Sequence, residues 1–190
     1  MDILTGKSTG ARRPAMVETG DRIAYGDPDY NAVMDFLIQE ARMLDQYELA
    51  QWREHLAPEI FYYMSQRRTL ARGGPALDTG SYWYYENIDT LDLRINKFLN
   101  APSAFAEDPP SRIRRYVSNL TLFRSAEDNA FVAESYLQLL RNRDDSPTYE
   151  TLSCLRKDVL RREGDKWLIV QRHIMVDQAV LGTHNISFFL

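Results

Sequence analysis

The spacing of hydrophobic positions changes along this chain, and the changes divide it into an arm, a helical part and a sheet. Residues 1 to 28 show little periodicity and carry Gly6, Gly10, Pro14, Gly20, Gly26 and Pro28. They predict an extended arm, ordered only where something holds it. From Asp29 the apolar residues Val33, Phe36, Leu37, Ala41 and Leu44 recur at three- and four-residue spacing. That spacing predicts a helix capped by Asp29. A second helical stretch, Tyr47 to Leu56, puts Leu49, Trp52 and Leu56 on one side and ends at Pro58. A third, Asp89 to Asn100, gathers Leu91, Ile95, Phe98 and Leu99 on one face, and three prolines follow between Ala101 and Pro110.

Elsewhere the period is two. Glu59 to Ser65 reads as a strand with Phe61 and Tyr63 on one face and Tyr62 and Met64 on the other. Arg67 to Ser81, with Gly73-Gly74-Pro75 and Gly80, reads as a long loop, a length that usually marks function or an interface. Tyr82-Trp83-Tyr84-Tyr85 follows it. Four strand-length segments then run from Arg112 to Phe123, Phe131 to Leu140, Tyr149 to Arg162 and Trp167 to Val176. In the first of them Ile113 and Val117 share one parity while Leu120 and Leu122 take the other. That shift predicts a bulge near Asn119 that bends the strand.

The last hairpin admits two registers. A two-residue loop, Gly164-Asp165, suits a type II′ turn and pairs Val159 with Val170, but sets Lys157 against Arg172. A three-residue loop ending at Lys166 pairs Asp158 with Arg172 and Leu160 with Val170. The second is preferred because it removes the like-charge pair. Taken together, the elements predict one α+β domain over residues 29–190: a curved antiparallel sheet folded over three N-terminal helices. Such a cupped shape either holds a small molecule or docks on partners.

Composition narrows the chemistry. The net charge of −4 gives no basic excess, so nucleic acid is not an expected partner. No apolar run approaches the ~20 residues that span a bilayer, and the first 19 residues lack the apolar centre of a signal peptide. A lone cysteine, Cys154, excludes an internal disulfide and points to the cytoplasm. With one Cys and three His (His55, His173, His184), the chain cannot build a four-ligand Cys/His centre from one copy, whether zinc finger or two-Cys, two-His iron–sulfur site. It also lacks GxGxxG, GxxxxGK[ST] and HExxH.

The remaining candidates each carry two readings. His173, on a strand, can serve as a general base or as a hydrogen-bonded structural histidine. His55 stands at a helix end, where the dipole favours it. His184 would need ligands from another chain to hold a metal. Cys154, between Leu152 and Leu155, reads as a small buried hydrophobe rather than a nucleophile. Arg112, Arg114 and Arg115 are either an anion or partner site or the charged protection of an edge strand. Tyr62, Tyr63, Tyr82, Trp83, Tyr84 and Tyr85 fit an interface and core better than a pocket. Phe188-Phe189-Leu190 is too apolar to stay in water.

A family resemblance joins these readings. Leu44-Asp45 with Trp52, Asn87-Ile88-Asp89 with Leu93-Arg94-Ile95, and Pro109-Pro110-Ser111-Arg112 through Val117-Ser118-Asn119 follow in order. Arg156-Lys157-Asp158, Leu160-Arg161-Arg162, Gly164, Trp167-Leu168-Ile169, Arg172 and Asn185-Ile186-Ser187 complete the series. From about residue 29 to the end, the chain resembles the small (beta) subunit of bacterial aromatic-ring-hydroxylating dioxygenases, the Rieske non-haem iron oxygenases. The resemblance implies a cone-shaped fold like nuclear transport factor 2, ketosteroid isomerase and the cystatins. It implies a mainly structural subunit, three of which assemble with three large (alpha) subunits. The Rieske iron–sulfur cluster and mononuclear iron would then belong to the large subunit, with no cofactor, metal or catalytic residue in this chain. Tyr82, Trp83, Arg112, Arg114, Arg115 and Arg156 are the expected subunit contacts. The competing expectations are a free-standing dehydratase or isomerase, using His173 with Asp158 or Asp177, and a small-molecule binding module without chemistry.

Overall fold

The computed structural model describes residues 18–67, 77–100, 110–127 and 129–190. Its strands are β1 (Thr19–Ile23), β2 (Leu56–Arg67), β3 (Leu77–Glu86), β4 (Arg112–Ser125), β5 (Ala130–Asn142), β6 (Glu150–Glu163) and β7 (Lys166–Val176). They form one seven-stranded sheet in the order β1-β4-β5-β6-β7-β2-β3, curved and unclosed, with β1 and β3 at its edges. The helices are α1 (Pro28–Asp45), α2 (Leu49–Arg53) and α3 (Ile88–Asn100). The mixed α+β architecture is the one expected, with one difference: β2 and β7 run parallel, while every other neighbouring pair is antiparallel. The chain leaves β2 through β3 and α3 and returns by the β4–β7 meander, so β7 meets β2 from the same end.

Several boundaries move for local reasons. The predicted arm is partly sheet, because Thr19–Ile23 pairs with β4; residues 1–17 lie outside the described residues. Asp27, not Asp29, caps α1: its side chain accepts from the Asp29 backbone N–H at 2.9 Å. Pro28 then takes the first helical position, where a missing N–H is harmless. The second helix is shorter than expected, and Leu56 and Pro58 belong to β2. Asn87 caps α3, accepting from the Thr90 N–H at 3.0 Å. Leu99 turns away from the core and is 47% exposed. The predicted long loop ends in strand, since β3 starts at Leu77 and carries the Tyr82–Tyr85 run along β2. The rest of that loop, residues 68–76, and most of the proline-rich break, residues 101–109, lie outside the described residues.

The bulge forms where parity shifted. The β4–β5 register slips between Ser118 and Thr121, and Asn119 adopts a φ of 53°. The last hairpin uses both candidate registers. Next to the turn, Glu163 pairs with Lys166 and Leu160 with Ile169 across a two-residue loop, where Gly164 takes a φ of 61°. A second bulge at Val159/Leu160 then shifts the ladder, so that Val159 faces Gln171 and Asp158 faces Arg172.

Alternation along these strands sorts side chains onto two faces. Toward the helices point Ile113 and Arg115 of β4, Ala133, Ser135 and Leu137 of β5, and Cys154, Arg156 and Asp158 of β6. Arg172 and Ile174 of β7, with Tyr62 and Met64 of β2, complete this inner layer. Leu37, Leu44, Leu49, Trp52, Leu91 and Ile95 from the helices pack onto it.

Candidate functional site

The hollow between helices and sheet is where a cone fold would hold a ligand, so its contents decide what the chain can do. In this chain the hollow is filled by charge. Arg172 donates to Asp158 at 2.8 and 3.0 Å and to Glu40 of α1 at 2.5 and 2.9 Å, and all three side chains are fully buried. The Trp52 indole donates to Glu40 at 2.9 Å. Arg156 lies against the same two carboxylates, at 3.5 and 3.8 Å. Burial alone would raise the Glu40 pKa, but Arg172, then Arg156, and hydrogen bonds from Arg172 and Trp52 hold it down at about 2. The partnered carboxylates raise the Arg172 pKa despite its burial. Two arginines and two acids thus neutralise each other, and the group is spent on itself.

The final segment, Asn185 to Leu190, plugs the rest. Its main-chain oxygens are caught almost in sequence by side chains from elsewhere in the fold. Arg141 reaches Asn185 O at 3.4 Å, Arg94 reaches Phe188 O at 3.2 Å, and Arg115 reaches Phe189 O at 2.8 Å. Arg172 and the Tyr62 hydroxyl donate to Leu190 O at 3.0 and 3.2 Å, while the Tyr84 hydroxyl bonds Ile186 O. Each of these arginines also holds an acid: Arg141 with Glu150, Arg94 with Glu86, Arg115 with Asp45, Arg172 with Glu40 and Asp158. Phe189 stacks obliquely on Trp52, with centroids 4.6 Å apart. A cleft beside this plug measures about 10 Å³, against roughly 300–1,000 Å³ for a ligand pocket. A larger cleft, about 350 Å³, opens beside Arg141, Glu150, Ser146, Thr148 and His184, where the plug begins.

Among the described residues, His173 is not brought together with Asp158 or Asp177. Asp158 points into the hollow, whereas His173, one position from Arg172, points to the outer face. There His173 stacks on Tyr63 at 4.2 Å and shares a 2.8 Å hydrogen bond with Ser65 Oγ. Asp177 lies past the end of β7, accepting from Ser153 Oγ at 2.6 Å. The dehydratase or isomerase reading is therefore not favoured. His55 Nδ1 bonds Trp167 O at 3.0 Å, a structural role. His184 is exposed and bonds Glu150. Burial pushes the Cys154 thiol up to about 12, which keeps it protonated and unreactive. Among the described residues, no group of three or more His, Cys, Asp and Glu is placed to hold a metal ion.

The six expected contact residues divide by parity. Trp83, Arg112 and Arg114 reach solvent, and Tyr82 is half-buried against Tyr63 and Tyr85. Arg115 and Arg156 lie on the other face. Both are buried inside their own chain, Arg115 on Asp45 and the Phe189 carbonyl, Arg156 within the charged hollow. Two tyrosines that sequence reasoning passed over, Tyr116 and Tyr136, stand 54% and 53% exposed on the outer face. Their signal was the alternation itself, since Tyr116 has the parity of Arg112 and Arg114.

Comparison with solved structures places this architecture. A structure of naphthalene 1,2-dioxygenase with indole bound in its active site matches with a TM-score of 0.75 and 26% identity, over 85% of this chain and 84% of that one. The beta subunit of benzoate 1,2-dioxygenase from Burkholderia mallei matches with a TM-score of 0.62 and 18% identity, over 76% and 88%. A protein with a cystatin-like fold from Nostoc punctiforme matches at 0.55 and 17%, over 83% and 98%, which extends the likeness of fold alone. Residues 39–183 match the ring hydroxylating beta subunit family, and the chain belongs to that family.

Proposed function

We propose that this chain is a non-catalytic structural subunit, supporting a large subunit that carries the Rieske cluster and the mononuclear iron of an aromatic-ring dioxygenase. The observation that supports this most is the filled hollow. A cone-fold catalyst must admit its substrate between helices and sheet; here Glu40, Arg156, Asp158, Arg172 and the Phe188–Leu190 plug occupy that space. The charges of the inner layer balance within the chain, which leaves the outside for function.

Two exposed regions suit docking. One is the outer face of β4 and β5, where Arg112 and Arg114 run into Tyr116 and, across the pairing, Tyr136. The other is the β3 edge with Tyr82 and Trp83. Tyr, Trp and Arg are the side chains that protein interfaces favour. The assembly is three copies of this chain with three large subunits, in the cytoplasm.

Purification tests this directly. Alone, the chain should carry no stoichiometric iron and turn over no aromatic substrate. Coexpressed with its large subunit, it should elute as a complex with the mass of three plus three. Turnover of a ketone or hydroxylated substrate by the isolated chain, abolished by His173→Ala, would overturn the reading.

A further inference from the structure

The charged hollow leaves one of its members without hydrogen bonds. Arg156 is fully buried, yet none of its three guanidinium nitrogens has a hydrogen-bond partner among the described residues. Its acidic neighbours stand off at 3.5 and 3.8 Å, whereas charge-assisted N–H···O bonds close to about 2.7–2.9 Å. The carboxylates are held elsewhere, by Arg172 at 2.5–3.0 Å.

Directly across the β5–β6 pairing from Arg156 lies Ser135, also fully buried, whose hydroxyl likewise has no partner among the described residues. Directly opposed residues hold their Cβ atoms about 4.5–5.5 Å apart, and both side chains point inward, so hydroxyl and guanidinium border one space. Unmet hydrogen-bonding groups at such depth are rare, because each has surrendered water without replacement. Two that face each other mark a shared site.

We propose that Ser135 and Arg156 bind internal water: at least one ordered molecule that bridges the hydroxyl and the guanidinium inside the hollow. A buried water makes about three hydrogen bonds to groups that would otherwise be unsatisfied. Here the Arg156 N–H groups donate to it. Its own protons go to the Ser135 oxygen and to Glu40 Oε2 or Asp158 Oδ2, the carboxylate oxygens nearest Arg156. Charge selects a neutral occupant. Two arginines already balance two carboxylates in this group, and a buried anion would bring a charge without a partner. Ile174, beside Arg156 on β7, and Leu137 and Cys154, one inward step along β5 and β6, are apolar or inert neighbours.

A crystal structure of the whole chain, at a resolution that shows ordered solvent, tests this together with a bromide soak. The expected result is a solvent peak within hydrogen-bonding distance of both Ser135 Oγ and an Arg156 nitrogen, with no anomalous signal there in bromide. An anomalous peak at that position would replace the water with an anion and overturn the proposal. So would an Arg156 swung into direct bonds with Glu40 or Asp158 with no solvent between it and Ser135. Where crystals diffract too weakly, magnetisation transfer from long-lived water to the Arg156 side-chain protons in solution supports the site, and its absence overturns it.

Discussion

Successive residues of one hairpin meet opposite conditions. On the inner face, Arg156 and Arg172 are sealed from solvent between the carboxylates of Glu40 and Asp158. One residue away, on the outer face, Lys157 pairs with Glu134 at 3.1 Å and His173 stacks on Tyr63. The two faces have similar chemistry: arginine, acid, histidine and tyrosine occur within a few residues of each other. What differs is burial. The inner set closes on itself and fixes the fold, while the outer set, with Tyr116 and Tyr136, keeps area to offer to another surface. A catalytic reading would need the reverse arrangement, with unsatisfied acids and bases around an open hollow.

The largest effects should follow from unbalancing the inner face. Glu40→Gln leaves Arg156 and Arg172 with one carboxylate between them, and is expected to cost about 3–5 kcal/mol in urea unfolding, as for other broken buried ion pairs. A loss below about 1 kcal/mol would mean the hollow is wetter than its burial indicates. Trp167→Ala tests the apolar end of the same layer, where the indole packs on Phe131 and Phe36 at centroid distances of 5.4 and 6.4 Å. It should cost about 3–5 kcal/mol; under about 1 kcal/mol would put the indole at the surface.

Acid should unmake the inner face next. The Glu40 carboxyl is depressed from 4.5 to about 2 in the folded chain, so its stabilisation is complete above pH 4.5 and lost as pH falls toward 2. The shift corresponds to about 3 kcal/mol. Glu86, whose pKa burial raises against the pull of Arg94, works in the opposite direction over acid pH. Melting temperature followed from pH 5 to pH 2 should fall more steeply for the natural chain than for Glu40→Gln. Equal slopes would assign the acid sensitivity to other carboxylates.

The outer face should give the smallest effects on the isolated chain. Tyr116→Ser and Tyr136→Ser are each expected to change its stability by about 0.5 kcal/mol or less. The same changes should weaken association with the large subunit by more than about 1 kcal/mol for at least one of them. Calorimetric titration separates the two quantities. If both substitutions leave association unchanged, docking belongs to the β3 edge.

Periodicity made much of this legible. The parity shift located the bulge at Asn119, and the charge conflict between Lys157 and Arg172 located the register of the last hairpin away from its turn. Arg115 and Arg156 show how residue type and parity can point in different directions. Arg115 falls in step with Ile113 and Val117, and Arg156 with Leu152, Cys154 and Leu160, so alternation marked both as inward. Glu40 carries the same kind of mark, four residues from Phe36 within an apolar stripe. The partners were illegible for a different reason. Glu40 meets Arg172 across 132 residues of chain, and the plug is held by arginines from α3, β4, β5 and β7, a convergence that no local pattern encodes.

The parallel seam between β2 and β7 has a consequence for how the chain reaches this shape. Ser65 and His173, neighbours across it, are 108 positions apart, so the contact forms only after a large loop has been closed at an entropic cost. The meander from β4 to β7 assembles through short hairpins and can form first. Until β2 arrives, one border of β7 stands bare, a template for wrong pairing between molecules. A nascent chain is therefore at greatest risk just before its halves join.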